Sequence, residues 1–210
     1  MASTDRAHDR ILVDVQAESP DSLADYAAIP IAFEVRTILE CTIVAHGLGG
    51  LALSEHAVAT PWRKDYDLLD GGPARWAARD DVAGWDVLAA RVDGLRVGGA
   101  IVAGDGLHLL DGRPGVAILR DIRVAPAMRG RGVGAALFRA AADRARARGA
   151  RELAVETQNV NVAACRFYAR MGCALAAIQR FAYPALPDET LLLWVRDLSA
   201  SRSPAAARTG

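Results

Sequence analysis

The sequence predicts a mixed α+β domain, and three observations carry that reading. Two apolar strands, Trp85 to Arg91 and Leu95 to Ala103, flank Asp93-Gly94, a dipeptide suited to a tight hairpin turn. A third strand, Val116 to Val124, stops at Pro126 and passes through a Gly-rich turn into an apolar-striped helix. Strand, helix, strand, helix and strand then alternate, so antiparallel pairs come first and crossover units follow.

The elements follow in order. Residues 1–10 are polar, lack the apolar run of a signal peptide, and are expected to form a tail. Ile11, Val13 and Val15 alternate with Leu12, Asp14 and Gln16, a tolerable strand pattern. Asp21 or Ser22 can cap a short helix that must end before Pro30. Ile31, Phe33, Val35, Leu39, Cys41 and Ile43 are apolar at odd positions, so Ile31 to Ile43 is read as extended. From His46 to Asp80, Gly47, Gly49, Gly50, Pro61 and Gly71-Gly72-Pro73 mark turns, with room for a short helix but no further pattern.

Residues 104–115 read as a loop. A helix is expected over Val133 to Ala147, with Val133, Ala136, Leu137, Ala140 and Ala141 on one stripe and Gly149 as its stop. Glu152 to Val155 is a strand, and Asn161 to Met171 a helix stopped by Gly172. Cys173 to Tyr183 and Thr190 to Trp194 close the sheet around a turn at Pro184 to Asp188. The chain from Ser199 is Ala/Ser/Arg-rich and is expected to be a second tail. One domain over residues 11–198 results, with tails at 1–10 and 199–210.

Composition narrows the function classes. Of 210 residues, 52% are hydrophobic and 24% charged, enough apolar material for a real core. Lys+Arg and Asp+Glu are 25 each, which disfavours a generally basic nucleic-acid binder. Arginine supplies nearly all the positive charge; the only lysine is Lys64. Three spread cysteines, Cys41, Cys165 and Cys173, argue against a disulfide scaffold and fit a reducing compartment. The four histidines are scattered, so no metal is expected. The most apolar stretch, Cys41 to Ala59, is broken by His46, Glu55 and His56, too polar to span a membrane. A soluble cytoplasmic protein is expected.

Two segments carry chemistry. In Val124 to Leu137 a strand stops at proline and a turn with glycines at 130, 132 and 134 opens a helix. Glycines allow close backbone approach, and a helix N-terminus offers unpaired N–H groups and partial positive charge, an anion cradle suited to a pyrophosphate. Arg129 and Arg131 add charge nearby. The spacing is neither a Walker loop nor a dinucleotide Gly-x-Gly-x-x-Gly; a plain connecting turn is the alternative. In Glu156 to Gly172 a polar strand end feeds a helix capped by Asn159 or Asn161. There Asn161, Ala164, Tyr168 and Met171 share a face. Alternatively Phe167 and Tyr168 are core aromatics and Asn161 only a cap.

Together the segments change the weighting. Arg129-Gly130-Arg131-Gly132-Val133-Gly134, followed by Asn161, Ala164, Phe167, Tyr168 and Gly172, resembles the GNAT superfamily of acetyl-CoA-dependent N-acetyltransferases. The resemblance covers roughly residues 85–195. Asp121-Ile122-Arg123-Val124, Glu156-Thr157-Gln158, Cys165-Arg166-Phe167-Tyr168, Tyr183, Leu193-Trp194 and the segment Trp62 to Asp67 are similar to its streptothricin acetyltransferase branch. Cys173 departs from that branch, where an aromatic commonly follows the glycine.

The resemblance implies a mostly antiparallel sheet of six to seven strands, splayed at the cofactor site and flanked by helices. It implies acetyl-CoA as co-substrate, with backbone N–H groups of Arg129, Gly130, Arg131, Gly132, Val133 and Gly134 on its pyrophosphate. The strand edge at Val124 would pair with the pantetheine arm, and Asn161 would hydrogen-bond the pantetheine or phosphate region. An N–H near Ile122 would polarise the thioester carbonyl, and Tyr168 would protonate the leaving thiolate. Asp121 and Glu156 are the candidate bases for the acceptor amine; either could instead pair with Arg120 or Arg123. For a cationic acceptor, both carboxylates could bind it by charge, together with Asp65 or Asp67. The expected acceptor is a small-molecule amine, aminoglycoside-like or streptothricin-like. A protein or peptide amine, or a non-catalytic acyl-CoA-binding module, are the alternatives. No nucleic acid or membrane partner is expected; the sequence does not set the oligomeric state, though homodimers are usual in such folds.

Overall fold

A computed structural model of the chain describes residues 11–104, 110 and 112–199; the expected tails, Ser199 excepted, and residues 105–109 and 111 of the loop at 104–115 lie outside them. A seven-stranded sheet runs in the order β1 (Asp14–Glu18), β4 (Asp86–Val92), β5 (Leu95–Ala103), β6 (Val116–Val124), β7 (Glu152–Gln158), β9 (Leu191–Asp197) and β8 (Ala174–Gln179). All neighbours are antiparallel except β6 and β7. Asp93 and Gly94, at φ 50° and 79°, turn β4 into β5 as their sequence predicts.

Helix α4 (Val133–Ala147) packs on the sheet through Val133, Leu137, Phe138, Ala141, Ala142 and Ala145. Ala136 and Ala140, expected on the buried stripe, are half-buried, because the interface turns toward Phe138. Strand β5 carries Gly98 and Gly99 at the closest approaches. A Cβ on Gly98 would lie 3.0 Å from Leu137, and one on Gly99 would lie 2.4 Å from the ring of Tyr26, a residue of α1 (Leu23–Ala27). Ser19, rather than Asp21 or Ser22, supplies the cap before α1. Its side chain accepts from the Asp21 N–H at the start of a 3₁₀ turn, Pro20–Ser22.

The least readable stretch holds the largest departure. Strand β2 (Phe33–Ile43) pairs with a 14-residue strand, β3 (Leu51–Lys64), as a separate hairpin. The register jumps from Val35↔Trp62 to Thr37↔Ala57, so Pro61 falls where no ladder hydrogen bond is needed. The hairpin joins the main sheet at Asn159, which accepts from the Leu39 N–H and donates through Nδ2 to the Leu39 carbonyl, both at 2.9 Å. Two short helices follow, α2 (Asp67–Asp70) and α3 (Pro73–Arg79).

The feature that makes a site is the parallel pair. Strands β6 and β7 are in register only over Val116–Ile118 and Glu152–Ala154, and they part beyond it. Helix α5 (Val162–Arg170) continues from the β7 side of that opening, and α4 starts from the β6 side.

Candidate active site

The opening between β6 and β7 widens into a cavity of about 880 Å³. Its β6 wall runs from Ile118 to Val124. Along a strand, N–H groups alternate sides, and the Ala125 N–H bonds β5 at the Val97 carbonyl. The N–H groups of Val124 and Ile122 therefore point away from β5, toward the opening that β7 has left. A bulge at Arg120, between the pairs Ile101↔Asp121 and Val102↔Leu119, sits in the same wall.

Beyond β6 the chain forms the Gly-rich turn. Gly130 and Gly132 take φ 77° and 88°, and a Cβ at either would meet nothing within 4 Å. Helix α4 has no side-chain N-cap, and its first internal bond is Ala136 N–H to the Gly132 carbonyl. Among the described residues, the six N–H groups from Gly130 to Ala135 have no protein acceptor. Consecutive free donors at a helix N-terminus form an anion site. Gly134 faces the cavity and Val133 turns its side chain into the core, fully buried. The open side of the turn and its free donors fit a coenzyme A pyrophosphate. The guanidinium of Arg129 does not add free charge here as the sequence suggested: it is engaged with the carbonyls of Val124, Pro30 and Ala32 at 3.0–3.2 Å. Arg131 is exposed.

The α5 wall brings together Asn161, Ala164, Tyr168 and Met171, the face expected from their spacing. Asn161 Oδ1 caps the helix by accepting from the Ala164 N–H at 3.1 Å, while Nδ2 lies 3.4 Å from the Tyr66 hydroxyl. Tyr168 is 5% exposed, and no described residue hydrogen-bonds its hydroxyl. Burial raises its pKa well above the usual phenol range, with the Asp121 charge adding to the shift.

The two carboxylates have different surroundings. Asp121 is bound by Arg123 at 2.8 and 3.0 Å and accepts from the Tyr26 hydroxyl at 2.5 Å. Arg123, its side chain 1% exposed, spends its remaining donors on Asp67, at 3.0 and 3.1 Å, and on the Ile29 carbonyl. That is five hydrogen bonds for five N–H groups, so Asp121, its side chain buried, and half-buried Asp67 both belong to one ion cluster around Arg123. The ion-pair alternative thus describes Asp121. Glu156 on β7 is half-buried, pairs with no arginine among the described residues, and accepts from the Tyr183 hydroxyl at 2.7 Å.

Sequence reasoning gave no site role to Tyr66, Tyr183, Trp76 or Arg120, all of which line the cavity. Arg120 lies over the rings of Trp76 and Trp85, at 5.3 and 4.7 Å, and pairs with Asp80 at 3.0 Å. Tyr66 and Tyr183 were visible only as members of family-like segments; no local spacing places them in one cavity with Glu156. Asp65 is paired with Arg63 at 3.2 Å. Among the described residues no group of three or more His, Cys, Asp or Glu could hold a metal, and no helix is long and apolar enough to cross a membrane.

Comparisons with known proteins agree with this geometry. The chain is 45% identical over 71 residues to streptothricin acetyltransferase of Streptomyces lavendulae, a stretch covering 34% of this chain and 38% of that protein. It is 35% identical over 82 residues to streptothricin acetyltransferase A of Bacillus subtilis (strain 168), covering 38% and 47%. The match thus spans less than half the length of either relative. Among solved structures, nourseothricin acetyltransferase superposes with TM-score 0.70 and 28% identity, covering 89% of this chain and 98% of that one. A Bacillus anthracis str. Ames protein in complex with acetyl coenzyme A shares the fold, with TM-score 0.70 and 19% identity over 90% and 99%. The acetyltransferase (GNAT) family model matches residues 54–173, which include the splayed strands, the Gly-rich turn and the α5 wall, and the chain belongs to that family.

Proposed function

We propose that this chain is an acetyl-CoA-dependent N-acetyltransferase whose acceptor is a primary amine of a streptothricin-like antibiotic. The observation that carries the reading is one cavity with two unlike parts to its lining. One part of the lining is the turn with its free N–H groups from Gly130 to Ala135; another is Glu156, which accepts from the Tyr183 hydroxyl. The similarity to streptothricin and nourseothricin acetyltransferases supports the acceptor class.

In this reading the turn donors, with Asn161 beside them, hold the pyrophosphate of acetyl-CoA, and the N–H of Val124 pairs with the pantetheine arm. The Ile122 N–H donates to the thioester oxygen as negative charge develops there. Glu156 accepts the proton that the amine must lose, and Asp121 holds Arg123 and the β6 wall in place. Tyr168 donates to the departing sulfur. A thiol has pKa near 8.5, far below that of this buried phenol, so full proton transfer runs uphill and the hydroxyl acts mainly as a hydrogen-bond donor. Residues 11–198 form one acetyltransferase domain, and a cytoplasmic location is supported by three unpaired cysteines.

Free-thiol release from acetyl-CoA tests the proposal across streptothricin, an aminoglycoside, metabolite amines and a peptide N-terminus. Streptothricin is expected to give the highest kcat/KM. Stabilisation by acetyl-CoA with no thiol release for any amine would make the chain a binding module instead.

A further inference from the structure

The Tyr183 hydroxyl reaches Glu156 from the connection between β8 and β9, 27 residues along the chain. Its ring is packed in a small apolar cluster with Ile118, Ala154, Leu191 and Leu193, behind the point where β6 and β7 part. The connection is tied down further on. Glu189 is buried and ion-paired with Lys64 at the end of β3, and the Thr190 N–H donates to Asn159 Oδ1 at 2.9 Å. Lys64, the only lysine of the chain, lies under the ring of Tyr66, 5.8 Å from its centroid. The Tyr183 hydroxyl is thus held on a fixed perch at the edge of the cavity. Burial raises its pKa far above the usual range and the Glu156 charge adds to that, so it stays a donor at any working pH and is no base itself.

We propose that Tyr183 is a positioning residue for Glu156. Its hydroxyl fixes Oε1 of the carboxylate, leaving the other oxygen free to face the acceptor amine. The proposal rests on the reading of Glu156 as the group that takes the amine proton. No bond to Tyr183 forms or breaks; its ring and proton stay where they are while the amine proton passes to Glu156. A carboxylate without that tether samples other rotamers, and misplaced acceptor geometry is costly in rate.

A double-variant cycle tests this with streptothricin, or failing turnover of it, the amine of the panel that releases thiol fastest. Glu156→Gln, Tyr183→Phe and the double variant are compared for kcat and for KM of acetyl-CoA. Tyr183→Phe is expected to lower kcat on the order of 10-fold, leave KM for acetyl-CoA unchanged, and add nothing once Glu156 is already Gln. Multiplicative losses in the double variant would overturn the inference, since a tyrosine acting by itself or through general packing behaves that way. Normal kcat in Tyr183→Phe with a slow Glu156→Gln would overturn it while leaving the role of Glu156 standing. Normal kcat in Glu156→Gln would remove that role and the inference with it.

Discussion

Tyr168 shows how burial in the core leaves the proposed role of a side chain open. It is a core aromatic, packed beside Phe138 and Phe167, and it also lines the cavity. Burial that keeps the phenol protonated also makes it a poor acid toward a thiolate. In the proposed role, the gain from Tyr168 would therefore sit at or below the low end of general acid catalysis, which spans ~100- to 10,000-fold. Tyr168→Phe is expected to lower kcat on the order of 10- to 100-fold, with Tm and acetyl-CoA affinity nearly unchanged, because the phenyl ring keeps the packing and no described hydrogen bond is lost. Wild-type turnover in that variant would show that the sulfur leaves without help from this residue. Asp121 teaches the opposite lesson. Its neighbour Arg123 was on view two positions away, but only the folded chain shows that Tyr26 and Asp67 complete the cluster.

At the scale of elements, the turn from β6 to α4 was legible because its chemistry is local. A proline that stops a strand, two glycines at positive φ and an uncapped helix are all short-range properties. The open space over Gly132 makes the cradle testable. Gly132→Asp would put a carboxylate where the proposal seats the pyrophosphate, yet it meets no atom within 4 Å of its Cβ. The left-handed backbone costs the new side chain roughly 1 kcal/mol, mild for Asp. Calorimetry on the folded variant is expected to show acetyl-CoA binding weakened beyond detection; unchanged affinity would move the pyrophosphate elsewhere. Strand β3 was illegible for a physical reason. Most of its residues are exposed on both faces, and only Lys64 is buried. A period of two appears in a sequence only where one face of a strand is covered.

Across the whole molecule, Arg123 ties the parts that must stay in register for the cavity to exist. It joins β6 to α2 through Asp67 and to the end of the α1 segment through the Ile29 carbonyl, under the ring of Tyr26. Replacing it with methionine would fill much of the space and leave two carboxylates without their cation. Breaking a buried pair this way costs about 3–5 kcal/mol. For a domain of this size that is a Tm drop on the order of 10 °C. The cavity wall that includes Tyr66 and Leu69 on either side of Asp67, on the proposed acceptor side, is expected to loosen as well. Arg123→Met is therefore expected to raise acceptor KM more than it lowers acetyl-CoA affinity. A variant with unaltered Tm would show that the cluster is not a stabilising hub.

The sequence by itself determined most of the individual strands, the 93–94 hairpin, both helices α4 and α5 and the Gly-rich turn, because each depends on neighbours within a few positions. It also brought Asn161, Ala164, Tyr168 and Met171 to one face, since helical spacing alone does that. Only the tertiary structure decided which carboxylate is tied up and which remains available. It also decided that Arg129 clamps the chain at Pro30 and Ala32, and that Tyr183 meets Glu156. Those outcomes depend on contacts between residues far apart in sequence, and their partners are chosen by the packing of whole elements rather than by any local spacing.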